Sequence, residues 1–364
     1  VNRLYSVFYK ISRDISDSCF LKTVAHELSL FYLAGLKIHQ WLYNKGWWSR
    51  AEVSCKVISI GNLVVGGTRK TPFTIFLAKF FQGLDQRLMI ITRGYKSQIE
   101  APIISDGKRI YLTPLQAGDE GYLLAKELIG IPVMKGKKRH QVIRFGFKYF
   151  LPNIIILDDA FQYYALKKDL DIVLIDANRP FGNGYLLPRG ILREPISALK
   201  RAHGVIINNA ENEDKTKKIK EFLKSYFPHL AIFNSLIEIK EAVLLSGQKR
   251  TISELLNLRC LVFCGLAEPA NFYKTCNDLN LTIAKFLAFP DHHFYNKKDV
   301  IDLIKMAKNK KIDIFITTQK DAVKLLAFSD IFSQSGYPIF YLPLKISLNQ
   351  MDGFSRWIKE KLAF

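Results

Sequence analysis

The chain has 364 residues, of which 49% are hydrophobic and 24% charged, a balance that excludes a largely disordered protein. It is longer than one hydrophobic core usually grows, so two compact domains are expected. Basic side chains number 53 against 33 acidic ones, a net charge of +20, which favours anionic partners such as nucleotides, phosphorylated lipid or nucleic acid without choosing among them.

No signal peptide with a small-residue cleavage site follows Val1, so export is not expected. From Phe20 to Trp48 the chain is dense in Leu, Phe, Tyr and Trp, with Leu21, Val24, Ala25, Leu28, Phe31 and Tyr32 at helical spacing. Lys22, Glu27 and Lys37 interrupt it, and its longest uncharged run falls far short of the roughly 20 residues of a membrane-spanning helix. Trp41, Tyr43, Trp47 and Trp48, with basic Lys10, Arg13, Lys22, Lys37, Lys45 and Arg50, suit a helix lying on an anionic membrane surface. A helix packed into the core fits the same spacing.

Short apolar runs then alternate with helical patterns, as in βα units around a mainly parallel sheet. They are Val57–Ile60, Leu88–Thr92, Ile154–Leu157, Ile172–Ile175 and Val205–Ile207. The charged stretch Glu211–Lys220 reads as a domain boundary. Beyond it, Leu261–Phe263, Leu281–Ala284, Ile312–Thr317 and Pro338–Leu342 read as strands, and Met351–Phe364 as a closing amphipathic helix. The expected division is a helical segment over 1–50, a kinase domain over 51–210 and an α/β domain over 211–364. Cys19, Cys55, Cys260, Cys264 and Cys276 lack zinc-type spacing and read as thiols of a reducing compartment.

Val57–Ile60 leads into Gly61-Asn62-Leu63-Val64-Val65-Gly66-Gly67-Thr68-Arg69-Lys70-Thr71-Pro72 and then a helical Phe73–Phe81. Such a strand, glycine-rich loop and helix turns backbone N–H groups toward a phosphate, with a lysine on the outer phosphates and a hydroxyl on Mg²⁺. Gly66, Gly67, Thr68, Arg69, Lys70 and Thr71 would form that cradle, with Lys70 and Thr71 in the last two roles. An ordinary glycine-rich turn also fits, because Arg69 and Val64 stand where the general motif has glycine. A second signal is independent: Ile154–Leu157 ends in Asp158-Asp159, where an open α/β sheet binds ligands and a P-loop enzyme holds Mg²⁺. Paired aspartates after a strand also cap helices.

Further segments resemble the lipid A 4'-kinase (tetraacyldisaccharide 4'-kinase) family. They are Gly61-Asn62-Leu63 leading to Gly66-Gly67-Thr68, Arg93-Gly94-Tyr95, Gly118-Asp119-Glu120, Asp158-Asp159-Ala160-Phe161-Gln162 and Phe181-Gly182-Asn183-Gly184 with Leu186-Leu187-Pro188. Leu192-Arg193-Glu194-Pro195, Phe289-Pro290-Asp291-His292-His293 and Thr317-Thr318-Gln319-Lys320-Asp321-Ala322 complete the set. The resemblance implies two α/β/α sandwich domains, the first P-loop NTPase-like and binding ATP and Mg²⁺, plus an N-terminal amphipathic membrane-associated helix. It implies phosphorylation of the 4'-hydroxyl of tetraacyldisaccharide 1-phosphate, giving lipid IVA, with the protein peripheral or monotopic at the cytoplasmic face of the inner membrane of a Gram-negative bacterium. The expected partners are the lipid A disaccharide precursor and an anionic membrane surface. No nucleic acid is expected, because no nucleic-acid-binding signature accompanies the charge.

By the same resemblance Asp119 is a catalytic base working with His292, although composition alone reads Asp119 as a helix N-cap. His292 and Asp119 fall in different predicted domains, so domain closure is expected to assemble them. Lys70 is the third catalytic candidate, and Thr71, Asp158 and Asp159 are the metal ligands expected. Arg93, Glu120, Arg139, Gln162, Arg193 and Glu194 are candidates for gripping substrate, arginine being suited to bidentate phosphate contacts. Arg69 for the family's glycine, Ala267 for its asparagine, Gln319 for its glutamate and Tyr163 for its histidine are departures.

Overall fold

The structure, a computed structural model, describes residues 2–15, 18–95, 97–99 and 101–363. It is an α/β protein of two compact units. The first comprises the chain up to Arg93, Gly136–Leu236 and the chain from Ile346 on; the second comprises Gly94–Lys135 and Ile237–Lys345. This division differs from the one expected at residue 210. The charged stretch Glu211–Lys220 belongs to the helix Glu213–Tyr226, whose N-cap Asn212 accepts the Lys215 N–H and which buries Thr216, Ile219 and Leu223. The apolar stripe runs past Lys220, so a window ending there shows only its charged face. Residues 94–135 leave the first unit, and the closing helix Met351–Leu362 belongs to it.

In the first unit six strands lie in the order Ala231–Glu238, Gly204–Asn208, Leu170–Asp176, Lys56–Gly61, Ile154–Leu157, Leu88–Thr92, each parallel to its neighbour. The uninterrupted Ile and Val runs predicted as strands are buried on both faces, as a parallel sheet requires. The strand Ala231–Glu238 was not expected, because Asn234 and Ser235 break its apolar run. Ser235 is nonetheless fully buried, its hydroxyl donating to Asn208 Oδ1. Phe354 of the closing helix is fully buried against Phe73, Phe76, Phe80 and Phe233, which ties the end of the chain to the helix after the phosphate loop.

The expected N-terminal helix spans Cys19–Asn44, with the Ser18 side chain accepting the Leu21 N–H as N-cap. Ala25 and Ser29 are buried, and Tyr32, Leu33 and Leu36 pack on the core around Val173, Leu186 and Leu192. At about 100° per residue the opposite side carries Phe20, Val24, Phe31 and Ile38. All are exposed, Phe20 by 76% and Phe31 by 75%. The helix is thus packed along one side, as the core reading expected, and bare and apolar along the other. Among the described residues no helix is long and apolar enough to cross a membrane.

The second unit holds a six-stranded sheet in the order Lys249–Thr251, Glu241–Leu244, Ile339–Leu342, Ile314–Thr318, Arg259–Cys264, Thr282–Ala288. Its last four strands are parallel; the first two join antiparallel. The four expected strands of the second half are these last four, shifted by a few residues at their ends. An antiparallel pair, Ile103–Ser105 with Val133–Lys135, and the helix Asp119–Glu127 belong to the same unit. That helix packs against Gln319–Leu325. All five cysteines are free, and burial pushes the Cys260 and Cys264 thiols up to about 12.

Candidate active site

The phosphate loop departs from the strand Lys56–Gly61 and enters the helix Lys70–Gln82. Gly61 must be glycine, because a Cβ there would come within 2.5 Å of Phe161 Cβ. Gly66 has φ +116°, a conformation only glycine adopts without strain. The loop is braced from both sides. Asn62 donates to Thr68 Oγ1 at 2.8 Å, and Asn208 donates to the Thr68 carbonyl at 2.7 Å. Val65 N–H donates to Ile191 O at 2.7 Å and Arg193 N–H to Leu63 O at 2.6 Å.

Arg69 precedes the helix in the left-handed conformation, φ 60° and ψ 33°. The geometry accounts for the family's glycine at this position, since the left-handed region suits a residue without a Cβ. The Arg69 side chain is half-buried; burial pulls its pKa down, opposed by the carboxylates of Asp176 and Glu211.

Asp158 and Asp159 end the strand Ile154–Leu157. Asp158 Oδ1 accepts the Thr74 hydroxyl at 3.0 Å, one turn into the helix after the loop. Asp159, at φ 50°, takes both ends of the Arg193 guanidinium, at 2.8 and 3.2 Å, and lies 3.6 Å from Lys70 Nζ. Burial would raise the Asp159 carboxyl, but Lys70, Arg193 and Arg139 outweigh it and hold it at about 2. Lys70, Asp159 and Arg193 thus form one polar cluster, and Thr74 ties Asp158 to the helix that Lys70 opens, where Thr71 is buried. The Thr71 hydroxyl and the two carboxylates supply only hard oxygen donors, which fits Mg²⁺. Among the described residues no group of three or more His, Cys, Asp or Glu could hold a metal, and Mg²⁺ bound through one or two carboxylates and phosphates needs none.

In the second unit His292 Nδ1 and Asp119 Oδ2 are 2.7 Å apart. Both residues belong to this one unit, so closure of two domains is not what assembles the pair. The expectation failed because residues 94–135 were assigned to the wrong core. Asp119 opens the helix Asp119–Glu127, is buried, and accepts the Glu120 N–H through Oδ1 at 2.9 Å. Burial opposes ionisation of Asp119, but the His292 hydrogen bond and the Lys320, His292 and Lys324 charges hold its carboxyl well below the usual range. The hydrogen bond to Asp119 raises the His292 pKa against burial, helped by the Asp119 and Asp291 charges. His292 has φ 56° and its ring lies 5.4 Å from that of Tyr95. His293 is otherwise engaged: Nε2 is 2.9 Å from Asp299 Oδ2 and the ring stacks on Phe289.

The six substrate candidates separate by their surroundings. Arg93 stands exposed just past the strand Leu88–Thr92. Glu120 pairs with Lys320. Arg139 is buried and donates to the carbonyls of Asp158 and Asp159, at 3.0 and 2.7 Å, so it fixes the backbone of the acidic strand end. Gln162 donates to Asn62 O at 2.8 Å. Glu194 is fully buried between Arg201, 2.6 Å away, and the Tyr164 hydroxyl at 3.1 Å; its carboxylate serves this internal network. Arg193 alone joins the loop backbone to Asp159. Thr74, Asn208, Arg201 and Lys320 went unrecognised in the sequence. Thr74 had a signal, lying one turn beyond Thr71, whereas Asn208 and Arg201 act only through tertiary contacts.

A braced phosphate loop whose lysine faces an acidic strand end defines a P-loop phosphotransferase. The family model for tetraacyldisaccharide-1-P 4'-kinase matches residues 21–363. The tetraacyldisaccharide 4'-kinase of Halothermothrix orenii is 38% identical over 92% of this chain and 91% of its own length. That of Syntrophus aciditrophicus is 32% identical, with the same coverage. Among solved structures, Aquifex aeolicus LpxK in complex with ATP is 27% identical, covering 94% of this chain and 99% of its own, with a TM-score of 0.76. The chain belongs to the tetraacyldisaccharide-1-P 4'-kinase family.

Proposed function

We propose that this chain transfers the γ-phosphate of ATP, with Mg²⁺, to the 4'-hydroxyl of tetraacyldisaccharide 1-phosphate at an anionic membrane surface, making lipid IVA. The observation that carries the chemistry is the pair of polar groups: Lys70 beside Asp159 under the phosphate loop, and Asp119 hydrogen-bonded to His292. Phosphoryl transfer needs positioning, neutralisation of charge and a group that orients the acceptor hydroxyl. The loop N–H groups from Gly66 to Thr71 receive the phosphates, and Lys70 neutralises the outer ones. Thr71 with Asp158 or Asp159 would hold Mg²⁺, which would supply positive charge to offset that of the phosphates.

Asp119 accepts the proton of the acceptor hydroxyl, while His292 fixes the carboxylate's orientation. Arg93, Glu120, Gln162 and Arg193 are assigned to the sugar and phosphate groups of the acceptor or to keeping one another in place, and Arg139 and Glu194 to support from behind. The exposed stripe of Phe20, Val24, Phe31 and Ile38 supports docking on lipid, with Lys22, Lys37, Lys45 and Arg50 drawn to anionic headgroups. The location assigned is the cytoplasmic face of a Gram-negative inner membrane, and nucleic acid is not assigned as a partner.

The test is incubation of the purified chain with ATP, Mg²⁺ and tetraacyldisaccharide 1-phosphate. A bis-phosphorylated product is expected. A folded protein that yields none refutes the substrate assignment. For the surface, Phe20→Ser with Phe31→Ser should release the protein from vesicles containing phosphatidylglycerol; unchanged co-sedimentation would remove the helix from that role.

A further inference from the structure

The helix Cys19–Asn44 does more than offer an apolar side. Its packed face is bonded to both ends of the segment that braces the phosphate loop. At one end the Ser29 hydroxyl shares its one proton between Ala25 O at 2.8 Å in its own helix and Leu186 O at 3.0 Å, and accepts the Arg189 N–H at 3.1 Å. At the other, the Tyr32 hydroxyl donates to Arg193 O at 2.9 Å. Between them the segment folds on itself, Leu187 N–H to Leu192 O at 3.0 Å and Gly190 N–H to Leu186 O at 2.8 Å. It is therefore a closed clip, and its position is transmitted along its length.

Arg193 is where the clip meets the chemistry. One residue accepts from Tyr32 through its carbonyl, donates to Leu63 of the phosphate loop through its N–H, and holds the Asp159 carboxylate through its guanidinium. A displacement of Tyr32 reaches the loop and the acidic strand end through a single residue. Tyr32 is half-buried, and burial with the nearby Glu194 charge keeps its hydroxyl protonated, in the donor form. Phenylalanine in its place keeps the packing against the core and removes only the donor.

We propose that Tyr32 is a positioning residue for Arg193, coupling the N-terminal helix to the phosphate loop and to Asp159. This rests on the kinase reading of the loop but not on the helix binding lipid. One neutral hydrogen bond contributes about 1 kcal/mol, which is about a fivefold change in a rate or equilibrium, so that is the size of effect expected.

The test compares the full-length wild type with Tyr32→Phe, Arg193→Ala and the double variant, using the acceptor in mixed micelles and in phosphatidylglycerol vesicles. Tyr32→Phe should lower kcat about fivefold while vesicle co-sedimentation is unchanged, and in the Arg193→Ala background it should lower kcat by clearly less, because the guanidinium path to Asp159 is gone and only the backbone path to Leu63 remains. That non-additivity is what a merely structural tyrosine would not give. Unchanged kcat in Tyr32→Phe, or an equal loss with and without Arg193, overturns the proposal. If Tyr32→Phe fails to fold, 4-aminophenylalanine at position 32, which keeps the ring and its reach and can still donate, is compared with 4-methylphenylalanine, which cannot: a higher kcat for the amino form supports the coupling, and no difference between the two refutes it. Failure of the membrane reading shows separately, as loss of co-sedimentation by the wild type.

Discussion

Asp119→Asn removes one charge from a pair 2.7 Å apart and keeps the shape of the side chain. A hydrogen bond to a charged group contributes about 1.5–3 kcal/mol against about 1 for a neutral one, so the pair should lose roughly 1–2 kcal/mol. The effect on turnover should be larger. A positioned general base contributes about 10²- to 10⁴-fold, or about 3–5.5 kcal/mol of barrier, and an amide cannot take the proton. The His292 pKa, raised chiefly by this hydrogen bond, should fall back toward or below its ordinary value of about 6.5.

The sign for stability follows from that direction. A histidine whose pKa is raised on folding contributes stability that is complete below about pH 6.5 and is lost as pH rises through the folded value. Asp119, depressed on folding, contributes stability above its ordinary range near pH 4 and loses it as pH falls toward the folded value. The stability deficit of Asp119→Asn should therefore be greatest between about pH 4 and 6.5 and shrink at higher pH. The assay is urea unfolding at several pH values with an NMR titration of the His292 ring, beside kcat with saturating ATP. Turnover within threefold of wild type, or a His292 pKa that does not move, would refute the assignment of the pair.

Lys70→Ala should cut kcat by about 10²-fold or more, because outer-phosphate charge is then unmet. Its partly exposed pair with Asp159 should cost at most about 1 kcal/mol of stability, measured by denaturant unfolding. Arg69→Gly should relieve a left-handed backbone worth about 1 kcal/mol while giving back some chain entropy, leaving Tm within a few degrees; a large loss of activity would mean that the Arg69 side chain takes part in binding phosphate. Gln319→Glu sets a carboxylate against Glu127, from which Gln319 now accepts nothing and to which it donates at 2.7 Å. It should destabilise by about 1–2 kcal/mol, with Glu127→Gln restoring most of the loss in a double variant. Phe354→Ala should cost about 3–5 kcal/mol in thermal or denaturant melts, as a fully buried ring shared with Phe73, Phe76, Phe80 and Phe233.

What the sequence disclosed and what it withheld divide along a physical line. Ile154–Leu157 announced a buried strand because four adjacent apolar residues have no other use in a parallel sheet, and the glycines at 61 and 66 marked a loop that only glycine can make. The departures from family pattern were visible too, and the structure gives two of them a cause: Arg69 sits where the backbone is left-handed, and Gln319 faces a glutamate. Residues 94–135 gave no such notice. They contain two short helices and two three-residue strands whose apolar residues state that they are buried, not against which core. Assigning them by chain order put Asp119 apart from His292.

The polar candidates met the same limit. An arginine's sequence context says that it recognises carboxylate or phosphate, but Arg139 spends its donors on two backbone carbonyls and Arg193 on a carboxylate. Only the fold distinguishes a residue that touches the substrate from one that holds the residue that does. The left-handed His292 makes the point sharply: a histidine at φ 56° is strained by about 1–2 kcal/mol and persists only because its surroundings fix it. Its backbone N–H donates to Gly265 O at 3.1 Å, the Gly265 N–H donates to the buried Asp321 at 2.9 Å, and its ring meets Asp119. Asp291-His292-His293 could be read as a motif, but what separates its two histidines is contact: His292 meets Asp119, 173 residues away along the chain, whereas His293 meets Asp299, six residues on.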